Sequence, residues 1–320
     1  MRFCLIGPAG SPIPPTGWGA VESLVWDYYC ELKKRHHNVL ILNTNEGDMV
    51  HSCNLFKPDV VYIMYDDYAY MSQHIECQSI YLMTHFAYIT NPQLTTTFHW
   101  YYENIFKQAI TYHRYITLNA LSHDVARVYK EHGFDGKINV ISNGASSDVF
   151  CFTDTPKFSL RSICIGKIED RKKQWRYQCL PQLYFAGNYQ DSSFDTSSPR
   201  YLGEWRKEIL YAELTDYANL VLLSDGETDP LVVKEALMAG LGVVVSECAS
   251  ANLDRRKGFV TIIPDAKLDD IEYVQIQVEK NRVFSLNNRK AIREYALANF
   301  SWSVVVDKFL DVVNMDKQQK

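Results

Sequence analysis

The sequence predicts an α/β protein made of two doubly wound, Rossmann-like domains that face each other across a cleft. Three observations lead there. Strand-length apolar runs alternate with helix-length segments from the N-terminus to about residue 141, which is the grammar of a parallel sheet covered on both faces. A polar stretch with a proline, 153–159, interrupts the pattern, and the same alternation restarts at 162. The length, 320 residues, exceeds one ordinary core and suits two domains of about 150 residues each. The expected division is 1–152 and 160–300.

In the first half, Arg2–Ile6 reads as a buried strand, followed by a Gly/Pro-rich loop from Gly7 to Gly19. Val21, Leu24, Val25, Tyr28 and Leu32 recur at helical spacing, and Lys33, Lys34 and Arg35 suit a helix C-terminus. Further strands are expected at 39–42, 59–64, 79–83, 115–118 and 138–141. In the second half strands are expected at 162–165, 184–186, 220–223, Gly242–Ser246 and 259–263. Helices are expected at 206–217, 231–239, 268–280, 282–298 and 302–315. The polar run 189–200 reads as a surface loop.

Composition excludes several classes. The formal net charge is −5, from 33 basic and 38 acidic residues, so no cationic excess is present to neutralise a nucleic-acid backbone. No apolar run approaches the ~20 residues of a spanning helix. The first residues run straight into Gly7-Pro8, with no room for a secretory segment. Eight cysteines are scattered without a CxxC pair or zinc-type spacing. A reduced, cytoplasmic compartment is expected.

Three segments carry chemistry. In Pro14-Pro15-Thr16-Gly17-Trp18-Gly19-Ala20-Val21-Glu22, the glycines beside a helix start expose backbone N–H groups of the kind that bind phosphate. Ten residues separate Gly7 from Gly17, so this is not the dinucleotide fingerprint, and nicotinamide chemistry is disfavoured. The strand 162–165 runs into Gly166-Lys167-Ile-Glu-Asp-Arg-Lys172-Lys173, four cations at the carboxyl end of a parallel strand, where ligands dock. Lys167 and Lys172 are the candidates for clamping a diphosphate. In Ser224-Asp-Gly-Glu227-Thr-Asp229-Pro230-Leu231-Val232-Val-Lys-Glu235, Asp229 is expected as N-cap and Pro230 at the first helical position. That would turn the N–H groups of Leu231 and Val232 toward an anion. The carboxylate of Glu235 suits a vicinal diol such as a ribose.

Together these segments resemble the retaining GT-B glycosyltransferases of family 4, in the right order over most of the chain. The glycine loop is similar to that family's first loop. Asn143-Gly144 followed by Phe150 is similar to the turn that closes its first domain, and Gly166-Lys167 through Lys172 to its diphosphate clamp. Glu227 and Glu235 match its E-x7-E signature, and Phe300-Ser301-Trp302 resembles the start of its last helix. The resemblance implies a first domain that binds the acceptor and a second that binds a nucleotide-sugar. It implies that a last helix, about 302–316, packs back on the first domain. It assigns Glu235 to the ribose hydroxyls, Glu227 to the transferred sugar, and Lys167 and Lys172 to the diphosphate. Backbone amides of Gly17, Trp18, Gly19, Leu231 and Val232 help those lysines. It also places His85 near the donor sugar and Trp205 beside the base.

The activity so implied moves a hexose-like sugar from a nucleoside diphosphate, with GDP and UDP the leading bases, to a hydroxyl of a glycan, glycolipid or glycoprotein. No bound cofactor and no metal is expected, and a peripheral membrane contact is left open, as is oligomeric state. Three departures stand out. Lys167 occupies the usual arginine position, His36 replaces the glycine that ends the first helix, and Asp229-Pro230 replaces Phe-Gly. The lost arginine supports the alternative of a catalytically degenerate nucleotide-sugar-binding or scaffold protein. A nucleotide-sugar hydrolase, epimerase or phosphorylase on the same fold is a further alternative. The acceptor would lie in first-domain loops, 65–70 and the aromatic-rich 87–100.

Overall fold

The structure is a computed structural model of the chain and describes residues 1–17 and 19–318. It divides into two compact units, Met1–Asn143 together with the chain from Trp302 onward, and Gly144–Ser301. The division falls ahead of residue 152 because Ala145 and Phe150 belong to the second core, and Arg293 donates to the carbonyls of both Phe150 and Met238.

The first unit holds strands β1 (Arg2–Ile6), β2 (Asn38–Leu42), β3 (Val60–Ile63), β4 (Ile80–Met83), β5 (Thr117–Ala120) and β6 (Ile138–Val140). They form one parallel sheet in the order β2-β1-β3-β4-β5-β6. Its helices include α1 (Ala20–Lys34), α2 (Glu46–Phe56) and α3 (His123–Glu131). β5 lies two residues downstream of the expected 115–118, because Tyr115 is an exposed aromatic while Asn119 is buried and pairs across to β4 and β6.

The second unit holds β7 (Phe158–Ile165), β8 (Leu183–Ala186), β9 (Tyr217–Leu222), β10 (Gly242–Ser246) and β11 (Val260–Ile263). They pair in parallel in the order β11-β10-β9-β7-β8. Counted from the first strand of each unit, the order is 2-1-3-4-5, the doubly wound order that the first sheet follows with a sixth strand added at its end. The second unit's longer helices are α4 (Lys207–Glu213), α5 (Leu231–Met238), α6 (Ile271–Asn287) and α7 (Arg289–Phe300). The helix expected over 206–217 is shorter, since Tyr217 already opens β9. The break expected near 281 falls at Asn288. Asn281 is a buried latch rather than a breaker: its Nδ2 donates to Val243 O at 3.1 Å and Phe259 O at 3.0 Å, which ties α6 down on β10.

The last helix, α8 (Trp302–Gln318), belongs to the first unit. Phe309 stacks on Tyr62 at 4.7 Å and meets Tyr28 and Tyr81 edge-on, so an aromatic cluster seats the helix on the sheet. Arg35 at the end of α1 adds a salt bridge to Asp307 at 2.7 Å. Among the described residues, no helix is long and apolar enough to cross a membrane.

Candidate functional site

In the second unit the direction of winding reverses between β7 and β9, and the loops that follow these two strands meet at the sheet's carboxyl edge. Gly166, at φ +142°, lets the chain leave β7 under the Lys172 side chain, and a Cβ there would lie 3.4 Å from Lys172 Nζ. A short 3-10 turn, Asp170–Lys172, then aims Arg171 and Lys172 at the loop after β9. Gln174 locks this turn, accepting from Glu169 N and donating to Lys167 O at 2.8 Å.

Both cations converge on Glu227. Lys172 Nζ and an Arg171 guanidinium nitrogen each lie 3.0 Å from Glu227 Oε1. Arg171 also donates to Gly226 O and, through Nε and a terminal nitrogen, to Glu169 Oε1 at 3.1 and 2.6 Å. It therefore cross-links the two loops with its planar fork, a task a lysine could not perform. Burial raises the Glu227 pKa, but Lys172 and then Arg171 outweigh it, and the carboxyl sits below its ordinary value. Lys167 stands apart: it is exposed and 3.8 Å from Glu169. Of the two lysines named from sequence, the structure brings only Lys172 to Glu227.

The same loop leads into α5. Pro230 is the N-cap, with Leu231 the first helical residue, so the cap lies one position later than expected at Asp229. The Asp229 carboxylate just ahead of it is paired with Lys234, whose ammonium is fully buried. Leu231 and Val232 occupy the first turn, whose N–H groups have no partner further back in the helix. Glu235 is half-buried in the following turn.

Trp205 does not fit the base-stacking role. It is 5 % exposed in the core of the second unit, its ring 6.0 Å from Tyr217, with no open face for a base.

In the first unit, Gly19 is the extended N-cap of α1, with open space around Gly17. Trp18 lies outside the described residues. The Glu22 carboxylate folds back over the helix start, 2.7 Å from where a Gly19 Cβ would be, and already complements the positive helix end. His85 follows β4; its Nε2 is buried without a hydrogen-bond partner, and burial pushes its pKa down to about 4. The imidazole is therefore neutral near pH 7. The aromatic segment is mainly self-packed: Phe86 stacks on Tyr101 at 3.5 Å and Tyr88 on Phe98 at 4.3 Å, while Trp100 is 68 % exposed.

Arg171 is the member of this cluster that sequence reasoning did not single out. In the sequence it is one of four cations within seven residues and carries no mark of its own. The only available signal is its place beside Lys172 in a turn short enough to send both inward.

No family model and no curated protein sequence matches the chain. Solved structures do. The sucrose-phosphate synthase of Thermosynechococcus elongatus superposes with a TM-score of 0.78 at 13% identity, covering 100% of both chains. HepE of Anabaena, solved in complex with UDP-glucose, gives 0.69 at 14% identity over 98% of this chain and 100% of its own. The lipopolysaccharide outer core galactosyltransferase WaaB gives 0.68 at 13% over 99% and 100%. At such identities the likeness is one of fold: two Rossmann-like parallel-sheet units that match GT-B glycosyltransferase structures.

Proposed function

We propose that the chain is a glycosyltransferase that moves a hexose-like sugar from a nucleoside diphosphate to an acceptor hydroxyl, with retention at the anomeric carbon. The observation that carries this is the convergence of Arg171, Lys172 and Glu227 at the β7/β9 switch point, next to the first turn of α5. HepE, of the same fold, was solved with UDP-glucose, which supports a UDP-sugar donor here.

In this reading Lys172, joined by Lys167 and the N–H groups of Leu231 and Val232, neutralises the diphosphate. Glu235 accepts from the ribose hydroxyls. Glu227, held by Arg171, accepts from hydroxyls of the transferred sugar. For the first unit the proposal keeps Gly17 and Gly19 as backbone donors and His85 as a neutral group that orients the sugar. The acceptor oxygen bonds to the anomeric carbon as the bond from that carbon to the β-phosphate oxygen breaks, and the departing phosphate oxygen takes the acceptor's proton. Charge growing on the diphosphate is met by fixed cations and a helix end, preorganised groups that need no metal partner.

The test is hexose transfer from UDP-, GDP- and ADP-glucose to a panel of glycan acceptors, with the anomeric configuration of the product read by NMR. Donor-dependent transfer with retention is expected. Free sugar released without any dependence on acceptor would overturn the reading in favour of a hydrolase.

A further inference from the structure

The first unit has the same winding as the second, and its own switch point lies between β1 and β3. A cavity of about 420 Å³ opens there, within the range of small-ligand sites. Its walls come from the segments after β1 and β3, from Glu46 at the start of α2 and from the aromatic segment after β4. Polar contacts fix these walls to one another. Ala9 N donates to Tyr68 Oη at 3.1 Å, joining the β1 and β3 loops. Asp66, buried behind the cavity, accepts from Thr84 Oγ1 at 2.7 Å and Tyr101 Oη at 2.5 Å, which anchors the β3 loop to β4 and to the aromatic segment.

The lining combines three chemistries. Trp100 is 68 % exposed at the cavity and presents a broad apolar ring. Glu46 and Asp67 supply carboxylates, and Asn104 and Gln108 supply amides. The Gln108 amide is held in place by its Nε2, which donates to Asn104 O. A flat apolar face beside several acceptors matches a sugar ring, which has a C–H face and hydroxyls around its edge. None of the lining residues is a cation. At the corresponding place in the second unit, Arg171 and Lys172 do the opposite.

We infer that this cavity binds a non-anionic saccharide, neutral or amino-bearing, and rejects acidic sugars and phosphates. The inference rests on the reading of the second unit as the donor site, and makes this ring the acceptor of the proposed transfer. Glu46 and Asp67 accept from its hydroxyl or ammonium donors, and Trp100 covers its apolar face. An acidic sugar would bring its carboxylate against two others with no cation to compensate.

The experiment is saturation-transfer NMR on the full chain, with and without saturating UDP. The probes are methyl β-glucoside, methyl β-galactoside, glucosamine and glucuronic acid. At least one of the first three is expected to bind, with glucuronic acid weaker by about tenfold or more. Trp100→Ala and Asp67→Asn, both at solvent-accessible positions, should each weaken binding, and Asp67→Asn should narrow the gap to glucuronic acid. Equal binding of glucuronic acid, no effect of either variant, or no sugar bound while UDP binds would overturn the inference and leave the donor site standing. Absence of UDP binding would instead overturn the donor reading on which it rests.

Discussion

Lys172 and Glu227 meet at 3.0 Å across 55 residues of sequence, and this pair joins the two loops at the switch point of the second sheet. Arg171 reaches the same carboxylate oxygen from the neighbouring position. One buried carboxylate is thus shared by two cations, Arg171 being paired with Glu169 as well, and a diphosphate would draw its compensating charge from Lys172 and the exposed Lys167. In the proposed reaction that anion would join Glu227 at the cations, which leaves the carboxylate free to turn toward the sugar.

Glu227→Gln separates these roles. Because the Glu227 pKa is lowered from 4.5, its charge contributes stability above that value, and the contribution is lost as pH falls below it. The variant should lose about 3 kcal/mol at neutral pH, the usual result of removing one partner from a buried pair. That deficit should shrink in acid. UDP affinity should hold or rise, since the cations are released, while sugar transfer falls. Urea melts at several pH values and UDP calorimetry check this; a deficit that grows in acid would contradict it.

Lys234→Met tests the support of α5. The substitution leaves the Asp229 carboxylate buried without its cation and should cost about 3–5 kcal/mol. Lys234→Met with Asp229→Leu should recover much of that loss. Denaturant unfolding of the single and double variants measures both.

His36→Gly should stabilise the protein by about 1 kcal/mol. His36 is exposed and sits at φ +60°, where glycine has no steric penalty. Its N–H bonds to Lys33 O at 2.9 Å and that of His37 to Leu32 O at 3.1 Å, the paired contacts of a Schellman cap. A higher unfolding midpoint with unchanged activity is the expected result.

Asp67→Asn should stabilise at alkaline pH. Burial, and then the neighbouring Asp66 and Glu46, raise the Asp67 pKa from 3.8 to about 6. A folded pKa above the unfolded one means that the carboxylate costs stability once pH exceeds the folded value. The cost disappears below the unfolded value. The variant should therefore melt higher than the wild type at about pH 8 and alike at about pH 3.5. Matched thermal melts decide it. A residue that lowers stability while lining a cavity fits a binding role better than a structural one.

Strands were legible where burial on both faces made them continuous apolar runs: Arg2–Ile6 and Gly242–Ser246 stand in the structure with the bounds read from sequence. β5 was less so, because the buried Asn119 looks like a loop residue and the exposed Tyr115 like a strand one. The α6/α7 boundary was hidden by Asn281, a polar side chain whose partners lie on other strands. Asp229 before a proline reads as a cap, whereas the helix starts one residue later and the carboxylate pairs with the buried Lys234, which only the folded geometry reveals. The candidate site divides in the same way. Glu227 and Lys172 were readable from spacing and order, whereas the separate fates of Lys167 and Arg171 depend on which way one short turn faces.

The proposed function requires the second unit to hold a nucleoside diphosphate. Calorimetric titration of the wild type, Lys172→Ala and Glu235→Ala with UDP, GDP and ADP tests it most directly. One diphosphate should bind the wild type well. Either substitution should weaken that binding by about tenfold or more, through loss of a phosphate charge or of the ribose contact. No binding of any of the three, or binding indifferent to both substitutions, would contradict the account.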